Sequence, residues 1–130
     1  MIIATSAIVA ILRDEAGASD GAVAIEKTRS RISAANFVES ALVIDGSRDP
    51  IASRRFDEFF KEANISVEPV TLEQARLARE AYRDFGKGSG HPAKLNFGDC
   101  FAYALAKATG EPLLFKGDDF IHTDISSALS

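Results

Sequence analysis

The stretch Leu95-Asn96-Phe97-Gly98-Asp99-Cys100-Phe101-Ala102-Tyr103-Ala104-Leu105-Ala106 decides how this chain is read. Asn96 can accept a hydrogen bond from a free backbone N–H at a helix start, and Asp99 comes three residues later, in the first turn. A nearly apolar helix then runs to Gly110. Two readings of Asp99 stand open at this point. It can complete a capping arrangement and complement the positive end of the helix dipole. Alternatively, a carboxylate at the mouth of an apolar helix can be a metal ligand.

Outward from this helix the pattern alternates. Downstream, Pro112 leads into a short buried strand, Leu113-Leu114-Phe115. The polar turn Lys116-Gly117-Asp118-Asp119-Phe120 comes next, then an edge strand around Thr123-Asp124-Ile125. Upstream, Lys87 to Lys94 holds Gly88, Gly90 and Pro92 and forms a loop. Before it, Thr71-Leu72-Glu73-Gln74 is a capping box opening a helix to about Phe85, stopped by Gly86. Ile65 to Val70 alternates like a half-buried strand. Asp49-Pro50 starts a further helix, whose Phe56, Phe59, Phe60 and Ala63 recur at spacings of 3 and 4.

The first half repeats the theme. Met1-Ile2-Ile3-Ala4 reads as a buried strand, and Thr5 or Ser6 caps a helix through Leu12. Gly21 to Lys27 suits a short helix, and Arg31-Ile32-Ser33 a strand. Ser33 or Asn36 caps the next helix, with Phe37, Val38, Ala41, Leu42 and Val43 as its apolar side and Gly46 as its end. Strands alternating with helices give an α/β fold: a three-layer α/β/α sandwich around a central, mainly parallel sheet. The expectation is one domain over residues 1–130.

Composition narrows the function classes. Hydrophobic residues make up 46% and charged residues 26% of 130 residues, values of an ordinary globular domain. The net charge of −4 argues against a protein that coats nucleic acid nonspecifically. The single cysteine, Cys100, forms no internal disulfide and fits a reducing compartment, so a cytoplasmic location is expected. No apolar run approaches the ~20 residues that span a membrane. Ile2 to Leu12 lacks the basic start of a signal peptide.

Functional groups in such folds gather at the carboxyl ends of the strands. Glu39 lies early in the helix after the second strand. Asp99 opens a helix that faces the same edge, and Asp118 and Asp119 come just after the last buried strand. Four carboxylates converging there would repel one another without a hard divalent ion such as Mg²⁺ or Mn²⁺. Singly, each has a plainer reading: Glu39 as a solvated helix residue, Asp118-Asp119 as a surface turn.

The segments Ile3-Ala4-Thr5-Ser6-Ala7-Ile8-Val9-Ala10-Ile11-Leu12, Ser33-Ala34-Ala35-Asn36-Phe37-Val38-Glu39, Gly86-Lys87-Gly88, His91 to Cys100 and Leu113 to Phe120 carry a resemblance over nearly the whole length. The chain resembles the PIN-domain ribonucleases of the VapC toxin type. The resemblance implies the toxin of a toxin–antitoxin pair, a metal-dependent endoribonuclease that hydrolyses RNA phosphodiester bonds. It assigns the acidic site to positions 4, 39, 99 and 119, with Asp118 as an extra member.

Position 4 departs from that pattern: Ala4 stands where the family has aspartate. Alanine removes a ligand and a charge, so metal binding is expected to be weak or absent and cleavage lost. An engineered disarming substitution is the favoured explanation and a naturally silent homologue the other.

The resemblance also implies partners: RNA, a cognate antitoxin, and a homodimer, or a heterotetramer or larger with antitoxin. The Phe56, Phe59 and Phe60 stripe is first a core face, and it also suits the groove that grips an antitoxin tail. Thr5 and Ser6 offer hydroxyls beside the site, for capping or for positioning water. Arg76, Arg79 and Arg83 share a helix face with Lys87 beyond, as an RNA backbone track or as a solvated face paired with Glu73 and Glu80. His91 reads as a loop residue rather than a base. The rival readings are a silent interaction module that binds antitoxin or RNA without cutting, and a phosphotransfer receiver. The receiver needs paired acids after an early strand and is set aside.

Overall fold

Ile2 and Ile3 form β1 (Ile2–Ile3), both wholly buried, and they face opposite sides of the sheet because successive strand residues alternate. Ile2 joins a cluster with Ala78, Ala81, Ala102, Tyr103 and Leu105; Ile3 joins another with Ile8, Ile25, Ile44 and Phe56. Leu113 and Leu114 of β4 (Leu113–Leu114) divide in the same way. A strand buried on both faces has no polar side, which is why these short runs are continuously apolar.

The computed structural model describes residues 1–129. After β1 come α1 (Thr5–Leu12), α2 (Ala18–Lys27), β2 (Arg31–Ser33), α3 (Ala34–Asp45), α4 (Pro50–Ala63), β3 (Ser66–Glu68), α5 (Leu72–Phe85), α6 (Phe97–Thr109) and β4, then a 3-10 turn at Phe120–His122. The strand order is β3-β2-β1-β4 and every pairing is parallel, with Ile2 opposite both Arg31 and Leu113. Helices α5 and α6 cover one face, and α1, α2 and α4 the other. The three-layer α/β/α reading is therefore the observed architecture.

Local sequence accounts for most boundaries. Asp49 accepts from the Ile51 N–H ahead of Pro50, and Asn64 closes α4 in the left-handed conformation. Thr71 accepts from the Gln74 N–H at 3.1 Å, one half of the expected capping box. Gly110 ends α6 with a positive φ.

Several sequence readings need correction. Helix α2 begins at Ala18, because Gly17 adopts the left-handed conformation that lets the chain turn directly into it. Neither Thr5 nor Ser6 caps α1. Ala4 occupies that place without a side-chain bond, and both hydroxyls are used elsewhere. Val38, Leu42 and Val43 are exposed, whereas α3 buries Asn36, Ser40 and Ile44. The strand expected around Thr123–Ile125 does not form: the chain bends there after the 3-10 turn ends at His122, with the Thr123 hydroxyl donating to Phe120 O and accepting from Ile125 N. Pairing on that edge is a single bridge between Leu113 and Ser127.

Candidate active site

Helix α6 presents its N-terminus at the carboxyl edge of the sheet. Asn96 Oδ1 accepts from Asp99 N at 2.9 Å, and Asp99 Oδ2 accepts from Asn96 N at 3.0 Å. The full capping box is therefore present, and one Asp99 oxygen is left outside it. Two free N–H groups are satisfied, and the acid lies at the positive end of the dipole.

Glu39, on α3, reaches the same helix start. Its carboxylate lies directly over Gly98, in the space a Cβ at position 98 would occupy. Only glycine allows this approach, and it places a second anion against the first turn of α6.

Asp119 is exposed at the start of the 3-10 turn, in a segment anchored by residues beyond it. Phe120 is fully buried against Phe115 at 5.2 Å between ring centroids. Asp124 accepts from the Tyr103 hydroxyl and from Lys107 Nζ, each at 2.6 Å, which clasps this segment to α6.

Asp99 feels the charge of both other acids. Burial pushes the Asp99 carboxyl up to about 6, with Asp119 and then Glu39 adding to the rise and the Asn96 N–H opposing it. Asp118 is exposed and is not among the charges that act on Asp99. Ala4 is buried, its N–H bonded to Leu114 O at 2.9 Å. It is adjacent to Thr5, whose hydroxyl bonds Asn36 on α3. Position 4 thus enters the same edge with no donor to offer.

The remaining sequence candidates divide. Thr5 Oγ1 accepts from Asn36 Nδ2 at 3.2 Å, so it belongs to the site's framework. Ser6 Oγ accepts from Lys116 N at 3.0 Å and ties α1 to the turn after β4. Arg76, Arg79, Arg83 and Lys87 are all exposed. Arg83 pairs with Asp84 at 2.9 Å rather than with Glu73 or Glu80. Arg79 lines a groove with Tyr82, Phe97 and Phe101, and those two phenylalanines also border the groove containing Glu39.

Phe56 is buried, and Phe59 and Phe60 are half-buried. Phe37 packs on Phe56 and Phe60 at 5.6 and 5.1 Å. His91 stacks edge-on against Phe85 at 4.9 Å and accepts from Ala93 N, a structural engagement. Cys100 is buried, and burial lifts its thiol to about 11, so it is no nucleophile.

Two residues that sequence reasoning did not place in the site are Asn36 and Gly98. The signals were present: Asn36 stands three residues before Glu39, on one helix face, and glycine directly precedes Asp99.

The PIN domain model matches residues 1–126 of this chain. The chain belongs to the PIN-domain family. Ribonuclease VapC28 of Mycobacterium tuberculosis is 58% identical over 130 residues, covering 99% of this chain and 98% of its own. Ribonuclease VapC42 of the same species is 53% identical over 129 residues, covering 98% of each. This PIN domain also superimposes on the crystal structure of Mycobacterium tuberculosis VapC20, described as a sarcin–ricin loop cleaving toxin. The TM-score is 0.74 at 15% identity, with 98% of this chain and 97% of that one covered; the likeness is one of fold.

As a metal site, the PIN-domain edge offers the right kind of donor. Glu39, Asp99 and Asp119 are hard oxygen ligands whose mutual repulsion a divalent cation would relieve. Among the described residues, however, no three His, Cys, Asp or Glu side chains close into a ligand group. The donors are of the oxygen type that a hard divalent cation such as Mg²⁺ or Mn²⁺ takes, and Ala4 adds none.

Proposed function

We propose that this VapC-type PIN domain is a toxin endoribonuclease, and that Ala4 deprives it of metal and of cleavage. The carrying observation is Asp99 at one sheet edge, feeling the charges of both Glu39 and Asp119, with an alanine at the fourth position. With an acid at position 4, that side chain and Asp99 would hold Mg²⁺ or Mn²⁺, and Glu39 and Asp119 would complete the shell or orient the attacking water. The cation would lower the pKa of a water and stabilise charge on the phosphate. The protein's own contribution is placement. The capping box fixes one Asp99 oxygen, the bare Gly98 admits Glu39, and the Tyr103–Asp124–Lys107 clasp holds the segment bearing Asp119.

RNA, a cognate antitoxin and a second copy are the partners this reading implies, with a heterotetramer or larger once antitoxin binds. The exposed edges of Phe59 and Phe60 offer an apolar seat for an antitoxin tail. A homodimer is supported by an apolar face spanning α3 and α6, where Leu42 is 67% and Phe97 78% exposed beside Val38 and Phe101. Arg76 and Arg79 supply cations for an RNA backbone.

The alternative, a silent module that binds without cutting, describes this chain if repair at position 4 changes nothing. Purified free of any partner, the Ala4→Asp form should cut RNA with Mg²⁺ or Mn²⁺ and stop on chelation, while the Ala4 chain should not cut. Absence of cutting by the repaired form with either metal leaves the binding module.

A further inference from the structure

We propose that Asn36 is the positioning residue of this site, its side-chain amide fixing the Glu39 carboxylate against the first turn of α6. Asn36 is 1% exposed, among the most buried polar side chains in the molecule. Its Nδ2 lies 2.9 Å from Gly98 O on α6, 3.2 Å from Thr5 Oγ1 on α1 and 3.4 Å from Glu39 Oε1 on its own helix. Thr5 in turn donates to Asn36 O at 3.4 Å. One amide thus joins α3 and α6, which carry positions 39 and 99, to the first residue of α1, next to position 4.

The orientation of the amide is set by its neighbours. A carbonyl and a carboxylate are acceptors only, so the NH₂ must face them; reversing the amide would set oxygen against oxygen. Two hydrogens serve three acceptors, and Glu39, the most distant at 3.4 Å, shares one of them, so the amide biases the position of its carboxylate without removing both of its oxygens from use. Meanwhile Asn36 Oδ1 is buried with no hydrogen-bond partner. An apolar side chain of similar volume would avoid that unmet oxygen, and buried polar groups are ordinarily satisfied. The fold tolerates the cost because the donor half of the same amide is required.

The role is one of support, since Asn36 acts through Glu39 and Gly98 and touches no reacting atom. Outer partners of this kind orient the acids of a site, and their loss typically lowers activity or metal affinity about 10–100-fold. The catalytic consequence rests on the nuclease reading; the placement of Glu39 does not.

The test compares Asn36→Ala, the volume-keeping Asn36→Leu and a control, Ser40→Ala. Ser40 lies one turn further along α3, is equally buried, and bonds only Asn36 O and Phe37 O. Crystal structures of the variants in the Ala4 chain should show the Glu39 carboxylate leaving Gly98 in either Asn36 variant and unmoved in the control. In the Ala4→Asp background, kcat for RNA cleavage should fall about 10–100-fold with KM unchanged for the Asn36 variants, and stay within about twofold for Ser40→Ala. Glu39 remaining over Gly98 in whichever Asn36 variant folds would overturn the proposal. So would a kcat matching that of the control. If the Ala4→Asp chain cuts no RNA, the nuclease reading fails, and the position of Glu39 still decides the role of Asn36.

Discussion

Replacing Asp99 by asparagine should stabilise the folded chain at neutral pH while removing a catalytic acid. The side chain is half-buried, and burial, Asp119 and Glu39 raise its carboxyl from 3.8 to about 6. An acid whose folded pKa lies above its unfolded pKa penalises the folded state whenever it is ionised. The penalty is complete above about pH 6 and vanishes as the pH falls toward 3.8. A shift of about two pKa units corresponds to ~3 kcal/mol. Solvent reaches this carboxylate, and screening reduces the expected effect to about 1–2 kcal/mol. The asparagine oxygen still accepts the Asn96 N–H, so the cap is retained. Urea unfolding of Asp99→Asn and the parent chain at pH 7.5 and pH 3.5, without divalent metal, checks this. Asp99→Asn should be the more stable at pH 7.5, and the two should converge at pH 3.5. A variant less stable at pH 7.5, by an amount independent of pH, would mean that Asp99 serves here as a cap alone.

Three further outcomes are expected. Gly98→Ala should push Glu39 off α6; a crystal structure shows the displacement, and activity in the Ala4→Asp background should drop by more than about tenfold. Glu111→Gln should destabilise the chain by roughly 1–2 kcal/mol in thermal unfolding. Glu111 receives the Met1 ammonium at 2.6 Å and pairs with Arg31 on the neighbouring strand. Leu42→Glu should leave the fold intact by circular dichroism and yield a monomer in sedimentation velocity, if the exposed α3–α6 face joins two copies.

The fold was legible wherever side-chain pattern and backbone demand coincide. The short apolar runs at Ile2-Ile3 and Leu113-Leu114 leave no polar face, so a sheet covered on both sides was readable from them. Asn96 and Asp99 announced their helix start because the capping chemistry is local. The reading of α3 held for Phe37 and Ala41, which pack on the core, and failed for Val38, Leu42 and Val43, because hydrophobic periodicity assumes that the whole apolar side faces inward. Here small polar residues are buried, Ser40 satisfied by its own helix backbone, while Val38 and Leu42 face outward. The Thr123 hydroxyl likewise outcompeted β-propensity with side-chain turn bonds.

At the candidate site, topology did not separate Asp119 from Asp118. The approach of Glu39 and Asp119 to Asp99 was readable from it, since a parallel sheet brings the segments at the carboxyl ends of its strands to one edge. Asn36 and Gly98 were not, because their roles depend on contact between α3 and α6, far apart in sequence. Ala4 could be recognised only as a departure from a pattern.

Mapping of the RNA ends produced from total cellular RNA by the Ala4→Asp protein and by Ala4→Asp carrying Asp99→Asn, each with Mn²⁺, tests the nuclease reading most directly. The expected result is a reproducible set of cuts with the first protein, abolished by chelation and absent with the second. Cuts that persist without the Asp99 carboxylate, or no cuts from the repaired protein, would contradict a metal-dependent nuclease built on this sheet edge.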